Sequence, residues 1–160
     1  MRNSIVLFAV MGALGCTASP ADDTSLDDTG TETDTVLGSN VASDLAAAQS
    51  LWATAGLEDY DYVLEWHGMF GLDMAGPATV VVRGGTVQSA TYTSDGSPVT
   101  ADFDARPVEG LFAVIQEGLD AGADEINATY DETLGYPTYT YVDYDLEEDD
   151  EEHSFSAEGL

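Results

Sequence analysis

Glu65 and His67 are the two residues of this chain whose types and spacing suit proton-transfer chemistry. They stand two positions apart in an alternating run, so both project from one face of a strand. A carboxylate beside an imidazole has the form of an acid/base pair. The competing reading is a solvated pair on an exposed sheet face. It is favoured because no third partner and no nucleophile can be identified from the sequence. His153 follows an acidic run that ends at Glu152 and so invites a metal reading. One histidine among flexible carboxylates fixes no coordination geometry, and that reading is set aside. Calcium loops of the Asp-x-Asp-x-Asp-Gly type with a distal Glu are missing from the sequence. Gly84-Gly85 is not a phosphate loop, because no helix follows it and the chain has no lysine. The sequence therefore points to no catalytic residue, no metal ligand and no cofactor. Tyr139 and Tyr141 complete the candidate interaction face with Glu65 and His67. They point opposite Thr140 and Val142, and exposed tyrosines on a rigid surface are typical contact residues. Strand propensity alone also explains them.

Charge bounds the partners. The 160 residues hold 31 acids and 3 bases (Arg2, Arg83 and Arg106), for a net charge of −28. The isoelectric point is near 4.1. Such a field repels nucleic acid and anionic headgroups, so nucleic acid is excluded as a partner. The simplest reading is an acidic surface suited to a salty or crowded exterior. The alternative is binding of a cation or a basic partner. The single cysteine, Cys16, excludes an internal disulfide and a multi-cysteine zinc site.

The position of that cysteine is informative. Residues 1–15 read as a lipoprotein signal peptide. Arg2 supplies the positive start, and Ile5 to Met11 an apolar stretch too short to span a membrane. Ala13-Leu14-Gly15-Cys16 closes it and resembles the lipobox of bacterial lipoproteins, in which the cysteine takes a diacylglyceryl group and becomes the mature N-terminus. The usual leucine three places before the cysteine is here Ala13, with Leu14 one place later. The alternative is an ordinary secretory signal with a leftover thiol. Buried acyl methylenes stabilise attachment by about 0.8 kcal/mol each, so palmitate-type chains on Cys16 make the membrane a partner. Residues 16–40 read as the lipidated cysteine and a disordered acidic Thr/Asp-rich tether, with too few apolar groups to offset ordering entropy. Localisation is expected at the cell envelope. Thr17 carries no Asp-type retention signal, which favours the outer membrane over the inner by resemblance to Gram-negative sorting.

Residues 41–160 read as a single domain. A helix is expected over 41–56, capped by Ser43 or Asp44 and closed by Gly56, with Leu45, Ala48, Trp52 and Ala55 on one side. Residues 59–67 alternate, Tyr60, Tyr62, Leu64 and Trp66 facing the helices and Asp61, Val63, Glu65 and His67 facing away. Residues 68–77 read as a loop that is unusually apolar, with Met69, Phe70, Leu72 and Met74. Ala78 to Arg83 and Val87 to Tyr92 form a hairpin about Gly84-Gly85. Pro107 opens a second helix with Val108, Leu111, Phe112, Ile115 and Leu119 on its apolar side, and Gly122 ends it. Asp124 to Asp145 is a second hairpin, turning at Gly135 and Pro137. Ile126, Ala128 and Tyr130 share a face of its first strand, and Thr140, Val142 and Tyr144 a face of its second. An acidic loop from Leu146 to Glu152 then precedes a last strand with His153, Phe155 and Ala157.

This order of elements carries a resemblance. The Cys16 segment and the acidic tether precede Leu51-Trp52, Tyr60-Asp61-Tyr62 and a Val-rich strand with a glycine turn. Val108-Glu109-Gly110-Leu111-Phe112 follows, then Tyr130 through Gly135-Tyr136-Pro137-Thr138 to Asp143. The series resembles the bacterial domain-of-unknown-function family 6174, which comprises small secreted proteins and lipoproteins, over roughly residues 45–160. Many relatives carry one or two cysteines just after the Tyr-x-Tyr strand. Here Trp66-His67-Gly68-Met69 stands there, so no thiol role transfers. The resemblance implies a compartment and domain limits but no activity. The expected fold is α+β, an antiparallel β-sheet of about five or six strands with two helices packed on one face. The expected role is that of a lipid-anchored cell-envelope protein acting by non-catalytic binding of an envelope protein or cationic ligand. The alternatives are an enzyme of unrecognised type using Glu65 and His67, and an acidic cation-binding protein.

Overall fold

The computed structural model describes residues 34–67, 76–147 and 152–160. The expected signal segment, Cys16, the first part of the tether, the apolar stretch 68–75 and most of the acidic loop lie outside these residues.

Helix α1 spans Asp34–Ala55. It begins earlier than the expected residue 41, so the last seven residues assigned to the tether are helical. The physical reason is that no proline interrupts residues 34–43, and a lone glycine such as Gly38 costs only about 1 kcal/mol relative to alanine. Ser43, expected as a cap, lies inside the helix, and its hydroxyl donates back to the Asn40 carbonyl at 2.9 Å. Leu45, Ala48 and Trp52 are buried, as their periodicity requires.

Six strands follow in one antiparallel sheet: β1 (Tyr60–His67), β2 (Ala78–Arg83), β3 (Thr86–Tyr92), β4 (Glu125–Tyr130), β5 (Pro137–Asp143) and β6 (His153–Glu158). Helix α2 (Val108–Ala121) joins β3 to β4. The spatial order is β3-β2-β1-β6-β5-β4. Two three-stranded meanders, one from each half of the chain, therefore meet where the first strand pairs with the last. In that central pair Leu64 stands opposite Ala157 and Trp66 opposite Phe155.

Both helices pack on one face, as expected. Tyr60, Tyr62, Leu64 and Trp66 are buried there, with Val80, Val82, Val142 and Phe155 from the neighbouring strands. The expected faces of the second hairpin also hold, since Ile126 pairs with Val142 and Ala128 with Thr140. Val108, Leu111, Phe112, Val114 and Ile115 are the buried side of α2, which ends at Gly122 in the left-handed conformation. Gly118 lies in this buried stripe because a β-carbon there would stand 2.7 Å from a Val142 methyl. The helix approaches β5 too closely for any larger residue.

The turn between β4 and β5 locks onto α1. The Asp131 carboxylate accepts the Thr133 and Leu134 N–H groups at 2.9 and 2.7 Å. Gly135 has φ +80°, and a β-carbon on it would lie 2.3 Å from the Ala48 carbonyl oxygen of α1. Gly135→Ala should therefore cost roughly 2 to 5 kcal/mol, the sum of a left-handed backbone and overpacking against rigid backbone. Gly96→Ala has the same handedness (φ +74°) with nothing within 4 Å, so it should lose only the backbone part. Urea unfolding of the two variants beside the parent checks the difference.

Candidate functional site

Among the described residues no helix packs on the second face of the sheet, and the four residues singled out by spacing all lie on that face. Glu65 of β1 stands opposite Ser156 of β6, which stands opposite Tyr139 of β5. The next row holds His67, Ser154 and Tyr141. Adjacent strands lie about 4.8 Å apart, so the patch is about 10 Å wide across three strands. Tyr139 is 41% exposed, one of the large hydrophobic side chains most open to solvent. The Tyr141 hydroxyl donates to Asp143 Oδ2 at 3.0 Å. That bond holds the phenol proton, and with lesser help from desolvation and nearby acids it pushes Tyr141 up to about 12. Asp143 is itself buried and also accepts the Asp145 N–H at 3.1 Å.

Glu65 and His67 do not pair with each other among the described residues, whose two ion pairs lie elsewhere. His67 instead meets Ser156, with Nε2 and Oγ 3.1 Å apart. A hydroxyl at that distance from an imidazole has the form of a nucleophile and its base. Acyl transfer also needs donors aimed at the developing oxyanion. Ser156 sits in a strand paired on both sides, so the backbone donors around it serve the ladders. The contact is a half-buried cross-strand hydrogen bond. His153 lies on the other, helix-covered face beside Tyr144, ring centroids 5.4 Å apart. Burial holds its pKa below the usual histidine value, and the Arg106 charge adds to this. Among the described residues no group of three or more His, Cys, Asp or Glu is arranged to hold a metal.

Sequence reasoning missed a second location, where aromatic tips reach the start of α2. Pro107 occupies the N-cap without a side-chain cap bond. The Tyr60 hydroxyl takes that place, accepting the Val108 N–H at 2.9 Å. The same hydroxyl donates to Glu109 Oε2 at 3.4 Å, and Trp52 Nε1 donates to Glu109 Oε1 at 2.8 Å. A carboxylate in the first turn also suits the helix dipole. Further along β1, the Tyr62 hydroxyl donates to the Arg106 carbonyl and Trp66 Nε1 to the Asp104 carbonyl, the latter at 3.0 Å. Arg106 bonds Asp104 at 2.6 Å and lies over the Trp66 ring, 5.8 Å from its centroid.

Beside this cluster a cleft of about 420 Å³ opens between the end of α1 and the start of α2. Trp52, Ala53 and Gln49 line it from α1, Leu57 and Glu58 from the connection, and Glu109 and Phe112 from α2. Trp52 is both core and wall: it is 5% exposed yet borders the cleft. Glu109, directly after the helix-opening Pro-Val, was the only available signal, and it names no partner by itself.

A family model described as "Family of unknown function (DUF6174)" matches residues 44–160. No solved structure matches.

The tyrosine at the helix start has a pH consequence. Burial first, and the Glu109 charge after it, push Tyr60 up to about 12 from an ordinary value of 10.0, against the opposing bond from Val108. Burial drives Tyr62 in the same direction. A folded pKa above the unfolded one means stability that is full below pH 10 and is lost as pH rises from about 10 through 12. Denaturant midpoints should fall over that window, and less steeply in Tyr60→Phe. At neutral pH, Tyr60→Phe should cost about 1 to 3 kcal/mol by leaving the Val108 N–H without its acceptor.

Proposed function

The chain belongs to this family of unknown function, and from that premise we propose that it works as an exported, lipid-anchored binding module. The observation that carries the reading is the convergence of Glu65, His67, Tyr139 and Tyr141 on one patch, built by three strands on the sheet face opposite the helices. A sheet face with one exposed tyrosine, Tyr139, beside half-buried Tyr141, Glu65 and His67 suits contact with another macromolecule. The anchor and the envelope location rest on the sequence around Cys16 and on the spacer that follows it. The net charge of −28 favours a basic or neutral envelope protein over nucleic acid. Among the described residues no helix is long and apolar enough to cross a membrane.

A second reading, acyl-transfer chemistry at Ser156 and His67 with Glu65 nearby, draws on the 3.1 Å contact between the first two. Among the described residues the backbone donors around Ser156 serve the two strand ladders, which ranks this reading below binding.

Mass spectrometry of the native N-terminus should find Cys16 as the first residue with acyl chains attached, and Cys16→Ser should move the protein from the membrane to the soluble fraction. An N-terminus without acyl mass would remove the anchor. In crosslinking from envelope extracts, Tyr139→Ala and Tyr141→Ala should lower capture of the same partner at least tenfold, whereas Gln116→Ala on the exposed side of α2 should not. Equal loss in all three would remove the sheet face as the contact surface. Full turnover of a discovered substrate that vanishes in both His67→Ala and Ser156→Ala would establish the enzyme reading instead.

A further inference from the structure

We propose that the cleft between α1 and α2 binds an organic ammonium ion carried on an apolar body. The site is in the helical layer, away from the open sheet face, and the inference does not depend on the lipid anchor. At about 420 Å³ the cleft has the size of a small-ligand site, which ranges over about 300–1,000 Å³. Its wall holds Trp52 and Phe112, both nearly buried and therefore fixed in place. Rings of this kind offer apolar area and attract cations through their π faces.

The polar group in the cleft is already oriented. Each Glu109 oxygen accepts one hydrogen bond from a neutral donor, Trp52 Nε1 at 2.8 Å and the Tyr60 hydroxyl at 3.4 Å. A carboxylate oxygen has about two acceptor sites, so each keeps one for a ligand. Among the described residues no protein cation answers this charge. The two arginines of the described residues are committed elsewhere, Arg83 to Asp61 and Arg106 to Asp104, each at 2.6 Å. Glu58 adds a second acid to the same wall. A carboxylate held by two neutral donors is a fixed receptor for a positive charge.

The ligand class follows by elimination. An anion meets two carboxylates and the field of a strongly acidic chain. A neutral apolar molecule would strip water from Glu109 and return no hydrogen bond. A bare divalent ion would find a single oriented carboxylate and aromatic walls, where it needs six or more oxygen ligands. A protonated amine on an aryl or alkyl body satisfies both the carboxylate and the rings. A free amine and the lysine side chain of a peptide share this chemistry.

The test uses the full chain in detergent, with calorimetry and the Trp52 indole N–H signal in nitrogen-15 NMR as readouts. The probes are phenethylammonium, its neutral counterpart phenethyl alcohol, and a blocked peptide with one lysine flanked by leucines. Phenethylammonium should bind saturably and shift the Trp52 signal, with affinity at least tenfold above the alcohol and falling with added salt. Glu109→Gln should lower the affinity at least tenfold. Ala53→Phe, at an exposed position on the cleft wall, should abolish binding while leaving the fold intact. Peptide binding that exceeds phenethylammonium binding and shows the same variant pattern would identify a protein partner as the source, and the reverse order a free amine. Equal affinity for the alcohol, binding unchanged in Ala53→Phe, or no saturable shift with any probe at millimolar concentration would overturn the proposal.

Discussion

The Tyr60 hydroxyl holds the fold together at the point where its layers meet. It accepts from the first N–H of α2 and donates to the carboxylate one residue later. That carboxylate also receives the Trp52 indole from α1. Sheet, first helix and second helix are thereby tied by the side chains of Tyr60 and Trp52 meeting on that of Glu109. Their rings stack as well, Trp52 and Tyr60 meeting edge to face at 5.2 Å. The arrangement solves a problem that Pro107 creates. Proline suits a helix start but offers no side-chain acceptor for the orphan N–H groups. A buried helix end without acceptors would cost one to a few kcal/mol per group, and the tyrosine removes part of that cost from a distance of 48 residues.

The same strand repeats the device along its length. Tyr62 and Trp66 each place an apolar body in the core and a polar tip on the backbone of the segment leading to α2. Aromatic residues with one wet end are suited to that boundary. The irregular stretch between Tyr92 and Pro107 is thus held by these side chains in addition to its own backbone turns and the Thr91–Pro98 bridge. The consequence is a hydrogen-bonded junction between α1 and α2 beside the cleft.

The topology decides what stands on the open face. The chain lays down one meander, crosses by α2 to the far edge, and returns through a second meander that ends in the middle of the sheet. Residues from β1 and β6 become neighbours only when the last strand is in place. His67 and Ser156 are 89 positions apart and 3.1 Å apart in space. Contacts of that separation carry a large loop-closure cost, repaid only when the central pair is complete.

Much of this architecture was legible in the residues alone. Alternation over 59–67 and 124–145 and the stripe from Val108 to Leu119 assigned each side chain to a face, because side-chain direction repeats every 2 or 3.6 residues whatever the chain does elsewhere. The start of α1 was misplaced, since a serine that would suit a cap can also lie inside a helix at a small cost, as Ser43 does with its hydroxyl on the Asn40 carbonyl. The pairing of first and last strands, the meeting of His67 with Ser156 and the double hydrogen bonding of Glu109 left no trace in local pattern. Those features depend on register and on packing between distant segments. Composition and periodicity settled which way the side chains face; the closing of the sheet by β6 and the docking of α2 onto β1 decided which of them touch.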